Sequence, residues 1–345
     1  DPDLLDFETT TSFTLDIQVD DGNGESDTAT ITINLLNQAS ISGVVFVDVN
    51  ENGLLDANES GIDGVIIQLL DDNGEAVLDS HGNAITAVTS DGGFYLLEDL
   101  DPHDYQLREV QPTGVGDGAE LLGSLGGTIP SNDVMQLSLD RTDAFDYAFA
   151  EIGAQVSSGD VATIGFWQNK QGQALIAAGG ADLADWLTEN FGNVFGDRLD
   201  EATGDDVADF YRDQLFKQKA KKSAAGPPKV DAQFMAVALA AYFTSSNLSG
   251  NVAAHYGFNV TDTGIGTKVI NVGDSGSAFG VANGMDLTIK QLLLATNNLT
   301  DTPNIRTGFA HTYDTNGDGV IDSVEAALRV MGNLVYSDIN ENGDI

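Results

Sequence analysis

Five oxygen-bearing side chains and one glycine fall at fixed spacing in DVNENGLLDANE, residues 48–59. Asp48, Asn50, Asn52, Asp56 and Glu59 occupy its first, third, fifth, ninth and twelfth positions, and Gly53 occupies the sixth. Calcium is a hard cation that takes six to eight oxygens at roughly 2.3–2.6 Å, and alternate residues of a tight loop aim their side chains at one centre. In this layout Gly53 makes the sharp turn, the Leu54 carbonyl supplies the seventh-position ligand, and Glu59 closes the site with both carboxylate oxygens. Magnesium holds to near-octahedral geometry and keeps several waters, so it suits such a loop less well.

The pattern returns near the end of the chain. Asp314, Asn316, Asp318, the Val320 carbonyl, Asp322 and Glu325 fill the same positions around Gly319, and a third run begins with Asp338, Asn340, Asn342, Gly343 and Asp344 but stops before a closing acid. Runs of Asp, Asn and Gly also make plain turns. Two complete twelve-residue matches favour calcium as the cofactor.

What must position the first loop is unusual. The residues before it, ISGVVFV, and after it, GVIIQLL, read as strands rather than as the helices that usually flank such a loop. The loop is therefore expected to pin a strand-to-strand crossover. Residues 41–155 continue with short apolar runs, GFYLLEDL, DYQLREV and AFDYAFAEIG, separated by Gly, Asp and Pro turns, which is the pattern of a β-sandwich. The order of these motifs resembles the B-type repeats of bacterial serine-aspartate surface proteins, kin of the collagen-adhesin B domains. That resemblance implies a sandwich used as a stalk segment of an adhesin. Some relatives in that wider group carry a Lys–Asn isopeptide staple, but residues 1–169 contain no lysine and the chain has no cysteine. A calcium loop is the remaining staple.

Upstream, SFTLDIQV and TATITINLL alternate as strands around the turn-forming DDGNGESD, giving a β-hairpin in residues 1–40. With LDFE before and VDDG inside, this stretch resembles the last part of a cadherin-type repeat, which implies calcium ligation by Glu8 and Asp21. Two strands alone are marginal. The hairpin is thus expected to pair with the sandwich edge or to be donated to a neighbouring copy by strand addition.

From residue 156 to 308 the periodicity turns helical. QNKQGQALIAAG, ADLADWLTENFG, DDVADFYRDQLFKQKAKK, AQFMAVALAAYF and TIKQLLLATNN space apolar residues three or four apart, and AQFMAVALAAYF is apolar on almost every side, as a central buried helix would be. FNVTDTGIGTKVINVG reads as a hairpin between helices, and KSAAGPP as an exposed loop. The opening TIGFWQNKQGQALI resembles a module of large secreted proteins from planctomycete-like bacteria. Residues 309–345 form a loop, a helix and the start of another loop; they resemble an EF-hand and, through the second loop, a dockerin.

Composition narrows the partners. Fourteen Lys plus Arg face 54 Asp plus Glu, a net charge of −40, which disfavours nucleic acid and anionic membrane surfaces. No apolar run is long enough to span a membrane. The chain starts without methionine and stops inside a loop, as a fragment of a longer, processed polypeptide would. The four histidines, His81, His103, His255 and His311, lie far apart, and neither a G-x-S-x-G elbow nor a phosphate loop is present. Trp167, Trp186, Tyr211, Tyr242 and Phe243 could stack a sugar, but each falls in an apolar helical pattern and reads first as core. Lys217, Lys219, Lys221 and Lys222 cluster at a helix end, where cations favour the dipole; the sharper reading is a docking patch for the acidic sandwich of another copy.

These readings converge on a multidomain β plus α chain: a calcium-binding sandwich followed by a mainly helical module and an EF-hand or dockerin-like tail. The expected function is an extracellular, calcium-stabilised structural or adhesive protein of a surface filament, layer or stalk, without enzymatic activity and self-associating head to tail or binding other surface proteins. The alternatives are a dockerin-type anchor for a cohesin-like scaffold and a carbohydrate-active enzyme in the helical module, with a polysaccharide partner.

Overall fold

The computed structural model of the chain describes residues 12–20, 22–23, 25–34, 38–56, 59–217 and 230–299. Glu8, Asp21, the loops at 314–325 and 338–344, and Lys219, Lys221 and Lys222 lie outside the described residues.

Strands β1 (Ser12–Asp20) and β2 (Ser26–Asn34) form the expected antiparallel hairpin, in unbroken register from Ser12 opposite Asn34 to Asp20 opposite Ser26. Alternation puts Leu15, Ile17 and Val19 in phase with one another, and all three are exposed together with Ile31 and Ile33. The two strands make a sheet of their own. Among the described residues the hairpin does not pair with the sandwich edge, one of the two outcomes expected from the sequence.

The sandwich follows. Strands β3 (Ala39–Val47), β4 (Ser60–Gly61), β7 (Phe94–Leu100), β9 (Val115–Leu121) and β12 (Ala144–Gly153) make one five-stranded sheet. Strands β5 (Ile66–Asp71), β6 (Thr86–Val88), β8 (His103–Glu109), β10 (Thr128–Ser131) and β11 (Val134–Leu139) make the other, in the order β10-β11-β8-β5-β6. All pairs are antiparallel except β3 with β12. Period-two alternation explains the packing: in β8, Tyr105, Leu107 and Glu109 face inward while His103, Asp104 and Arg108 stay exposed. Ile41, Val45, Val47, Ile67, Leu69, Leu107, Leu137 and Phe149 fill the space between the sheets, all of them nearly inaccessible. The calcium-type loop does not itself cross between sheets. It closes β3 onto β4 in one sheet, Phe46 opposite Gly61 and Val47 opposite Ser60, and the crossing comes just after it.

The helical region comprises α1 (Ile164–Gln168), α2 (Lys170–Ala178), α3 (Gly180–Phe195), α4 (Gly204–Asp209), α5 (Val230–Thr244), α6 (Ser246–Ser249) and α7 (Ile289–Leu299). A π-helical segment, Phe210–Phe216, continues α4, whose start carries a capping box between Thr203 and Asp206. Helix α5 is central: Phe234, Met235, Val237, Leu239 and Phe243 are inaccessible, and the alanines between them let neighbours approach on every side. The stretch read as a hairpin at 258–273 is different. It forms a 3₁₀ turn, Gly264–Thr267, and one strand, β13 (Val269–Asn271), whose partner β14 (Asp286–Thr288) leads into α7. Gly264, at φ +65°, lies close against the backbone of Ser245, so this segment packs onto the end of α5 instead of folding back on itself.

The two regions are joined by specific contacts. Val269 packs into the sandwich core, and its residue bridges Gln155. The Thr113 amide and hydroxyl both donate to Asp262 Oδ2 (2.9 and 2.8 Å), while the Thr113 hydroxyl accepts from the Asp262 amide (2.9 Å). Behind the first strand of the helical region, Lys268 Nζ reaches the buried Asp160 carboxylate at 2.8 Å.

Candidate functional site

The 48–59 loop is assembled by its own polar atoms. Asp48, nearly inaccessible at the end of β3, accepts from the Asn52 amide through Oδ1 (3.1 Å) and from the Gly53 amide through Oδ2 (2.6 Å). Gly53 has φ +71°, the left-handed conformation that the turn requires. Asn50 and Asn52 direct their side-chain amides at Asp56 Oδ2, at 2.8 and 2.9 Å. Glu59 spans the loop, with Oε1 accepting from the Val49 amide (2.9 Å) and Oε2 from the Asp56 amide (3.0 Å). Burial raises the Glu59 carboxyl above its ordinary range against those two hydrogen bonds, and the charges of Asp48 and Asp56 push the same way. Asp48, Asn50, Asn52, Asp56 and Glu59 thus belong to one hydrogen-bonded loop rich in the oxygen donors that calcium takes, but Asp48, Asp56 and Glu59 are not among the described acid groups whose oxygens fall within 4.8 Å of one another. Leu54 is exposed at the outer bend.

A second cluster adjoins the loop. The Asp48 amide donates to the Glu151 carbonyl (2.9 Å), and the Glu151 carboxylate lies with those of Glu109 and Asp133 so that one oxygen from each falls within 4.8 Å of the others. Asp117, Glu120 and Asp133 form an overlapping group by the same measure. Glu109 ends β8 in one sheet, Glu151 sits in β12 of the other, and Asp133 occupies the β10–β11 turn at φ +59°. Glu109 and Glu151 are 3% and 1% exposed. Burial and then the charge of Glu151 raise the Glu109 carboxyl far above the usual range; burial and then the charge of Asp133 raise that of Glu151 against hydrogen bonds from Gln111 and Glu109; and Asp133 is pushed up to about 6 by burial and then by Asp117 and Glu120. None of these acids belongs to the calcium-type motifs. The signal that points to them is phase: Glu109 alternates with the inward Tyr105 and Leu107, and Glu151 with Tyr147 and Phe149.

The remaining candidates separate. Lys217 ends the π-helical segment and pairs with Asp213 at 2.8 Å. Trp167, Tyr211, Tyr242 and Phe243 are buried in the helical core, where Trp167 stacks on Phe243 with ring centroids 6.0 Å apart. Trp186, half-buried, reaches a cleft of about 470 Å³ between the two regions, lined also by Asp63, Asp91, Glu189 and Lys290 and by no histidine. In that cleft the Asp63 carboxylate is already engaged by the Gly92 and Gly93 amides at 2.9 and 2.7 Å.

Fold and loop together define a class, a two-sheet β-sandwich with an acidic loop between β3 and β4. Residues 39–128 match the family model of the SdrD B-like domain. Over 101 residues the chain is 32% identical to Colossin-A of Dictyostelium discoideum, covering 29% of this chain and 1% of that protein. Over 76 residues it is 36% identical to serine-aspartate repeat-containing protein D of Staphylococcus aureus (strain Newman), covering 22% of this chain and 5% of that protein. The chain thus spans a small fraction of the length of these relatives. Among solved structures, BcpA, the major pilin subunit of Bacillus cereus, aligns with TM-score 0.27 at 15% identity over 41% of this chain and 38% of its own. SpaD, the major pilin of Corynebacterium diphtheriae, aligns with TM-score 0.22 at 14% identity over 35% and 34%. No helix among the described residues is long and apolar enough to cross a membrane.

Proposed function

We propose that this chain is a structural segment of an extracellular, cell-surface adhesive protein whose sandwich is stiffened by calcium held in the 48–59 loop. The observation that carries the reading is the placement of Glu59, whose two oxygens tie Val49 to Asp56 across a loop already lined by Asp48, Asn50 and Asn52. The similarity of residues 39–128 to SdrD B-like domains supports the surface role. Asp48, Asp56 and Glu59 would hold the ion, whose charge would let these carboxylates stay ionised side by side and would tie the end of β3 to the start of β4.

The stiffening matters because the sandwich has no covalent staple. It contains neither cysteine nor lysine, so a cation is the cross-link its chemistry allows. The loops at 314–325 and 338–344 would extend the same device along the chain, and head-to-tail self-association into a filament, layer or stalk is the assembly proposed. Thermal unfolding with and without chelator, with light scattering in parallel, tests the reading. Calcium should raise the Tm of the wild-type chain and favour assembly, and Glu59→Gln should remove part of that rise. A Tm and particle size indifferent to calcium would refute it.

A further inference from the structure

We infer that Glu109, Asp133 and Glu151 form a second divalent-cation site, calcium being the expected occupant, which clamps the two sheets of the sandwich beside the 48–59 loop. The inference is independent of the surface-protein reading and of the loop's own ligands.

The geometry is that of a built site rather than a surface patch. The three residues come from a strand of each sheet and from a turn, and the Glu109 amide donates to the Asp133 carbonyl at 2.9 Å, so backbone bonding holds two of them together. Their carboxylate oxygens lie within 4.8 Å of one another, the spacing of ligands around one ion. Glu109 supplies the second, independent observation. Its side chain is 3% exposed, and no donor reaches Oε1 or Oε2 while the carboxyls are ionised; the side chain it meets is that of Glu151, another acid, with which it can bond only by holding a proton. A buried, unpartnered carboxylate is costly unless something neutralises it. The charges that act on it most strongly are Glu151, Asp133 and Asp117, all acids.

Two species can relieve that repulsion, a proton or a cation. The surroundings favour a cation. Gln111 donates through Nε2 to Glu151 Oε2 and leaves its own Oε1 buried without a partner, adding another oxygen to the group. Around Asp133, Glu120 Oε1 accepts from the Asp133 amide at 2.5 Å and Asp117 Oδ2 accepts from Asn132 Nδ2, which gathers further negative charge on the side of Asp133. Every donor is oxygen, and calcium tolerates the irregular geometry that residues from separate strands impose. With an ion there, the two sheets are linked through side chains where a disulfide or isopeptide bond would otherwise serve.

Calcium titration calorimetry on the full chelated and desalted chain, with thermal unfolding, decides the matter. Glu109→Gln should lower the calcium stoichiometry by one, Glu59→Gln should lower it by a separate one, and the double variant by two. In EDTA, Glu109→Gln should melt at or above the wild type; in saturating calcium it should melt below. Asp133→Asn provides a second variant that keeps the fold, because asparagine tolerates the left-handed backbone at that turn; it should repeat the loss of one ion. Unchanged stoichiometry and an unchanged calcium-induced rise in Tm for both Glu109→Gln and Asp133→Asn overturn the site, leaving acids that share protons. A loss confined to Glu59→Gln upholds the loop and refutes the cluster.

Discussion

The amide of Asp48 donates to the carbonyl of Glu151 at 2.9 Å, so the first residue of the calcium-type loop and the inward acid of β12 are one backbone hydrogen bond apart. Val47 is the register partner of Glu151 in the parallel β3–β12 pair, which fixes that bond within the sheet. Ions at the two positions would therefore share a support.

Coupling between the two follows. In saturating calcium, unfolding free energies of wild type, Glu59→Gln, Glu109→Gln and the double variant should be non-additive by about 0.5–3 kcal/mol, the range for sites that share a partner. Linkage makes the effect reciprocal, so each single variant should also weaken calcium binding at the other site. Additivity within about 0.3 kcal/mol would show two independent sites.

The acids of the cluster set a pH dependence in chelator. The folded-state values of Glu109, Glu151 and Asp133 are all raised by burial and then by neighbouring carboxylates. The folded state thus binds more protons than the unfolded one between the ordinary carboxyl range and the raised values. Their contribution is fully present at acid pH and is lost as the pH rises through the folded values. Urea unfolding in EDTA should accordingly give a stability that falls from pH 5 to pH 9, and Glu109→Gln should flatten that fall. A stability that rises over this range in EDTA would contradict the arrangement.

How far such features can be read before folding depends on their sequence separation. The 48–59 loop is legible because all the residues proposed to hold calcium there lie within twelve residues, so that spacing alone marks them. The sandwich strands and α5 are legible through periodicity, since Tyr105, Leu107 and Glu109 alternate and Phe234 to Phe243 is apolar all round. The cluster is hidden because Glu109, Asp133 and Glu151 come from three segments, and only sheet packing unites them. Its trace is an acid on the inward phase of a strand, a position where a glutamate is expensive. The segment at 258–273 misleads for the opposite reason: its alternation is local, whereas the partner of Val269–Asn271 lies beyond a 3₁₀ turn, Gly273–Phe279.

Lys268 and Asp160 form a buried pair at 2.8 Å, their side chains 12% and 1% exposed. Burial raises the Asp160 carboxyl, but the hydrogen bonds from Lys268, Asn259 and the Ser157 amide outweigh it and hold the group below its ordinary value of 3.8. That depressed group contributes stability above pH 3.8, which is lost as the pH falls below it. Lys268→Met leaves Asp160 buried without its cation and should cost about 3 kcal/mol at pH 7 in chemical unfolding. The loss should shrink in Lys268→Met/Asp160→Asn, where no charge is stranded.

Thr113 offers the cleanest test of whether sandwich and helical region behave as one body. Its amide and hydroxyl hold Asp262 Oδ2, its hydroxyl accepts from the Asp262 amide, and its carbonyl accepts from the Thr263 amide at 3.3 Å. Gly114, at φ +106°, allows this approach, since a Cβ there would meet the Thr261 and Thr263 hydroxyls at 2.5 Å. Thr113→Val keeps the shape but removes the hydroxyl, leaving the Asp262 amide unpaired at the junction. Because Thr113 is exposed, the cost should be modest, about 1 kcal/mol. Burial raises the Asp262 carboxyl and the Thr113 and Ser246 hydrogen bonds hold it down, so the variant should also move its titration upward. Hydrogen exchange should quicken at Asp262 and Thr263 while the β8 amides stay protected, and Thr113→Ser, which retains the hydroxyl, should restore the slower exchange. Equal exchange at Asp262 in wild type and Thr113→Val would mean that the contact does not hold the two regions together, and the stiffness proposed for the chain would then have to come from other links, among them Val269 in the sandwich core and the Asn247 side-chain amide on the Asp63 carbonyl.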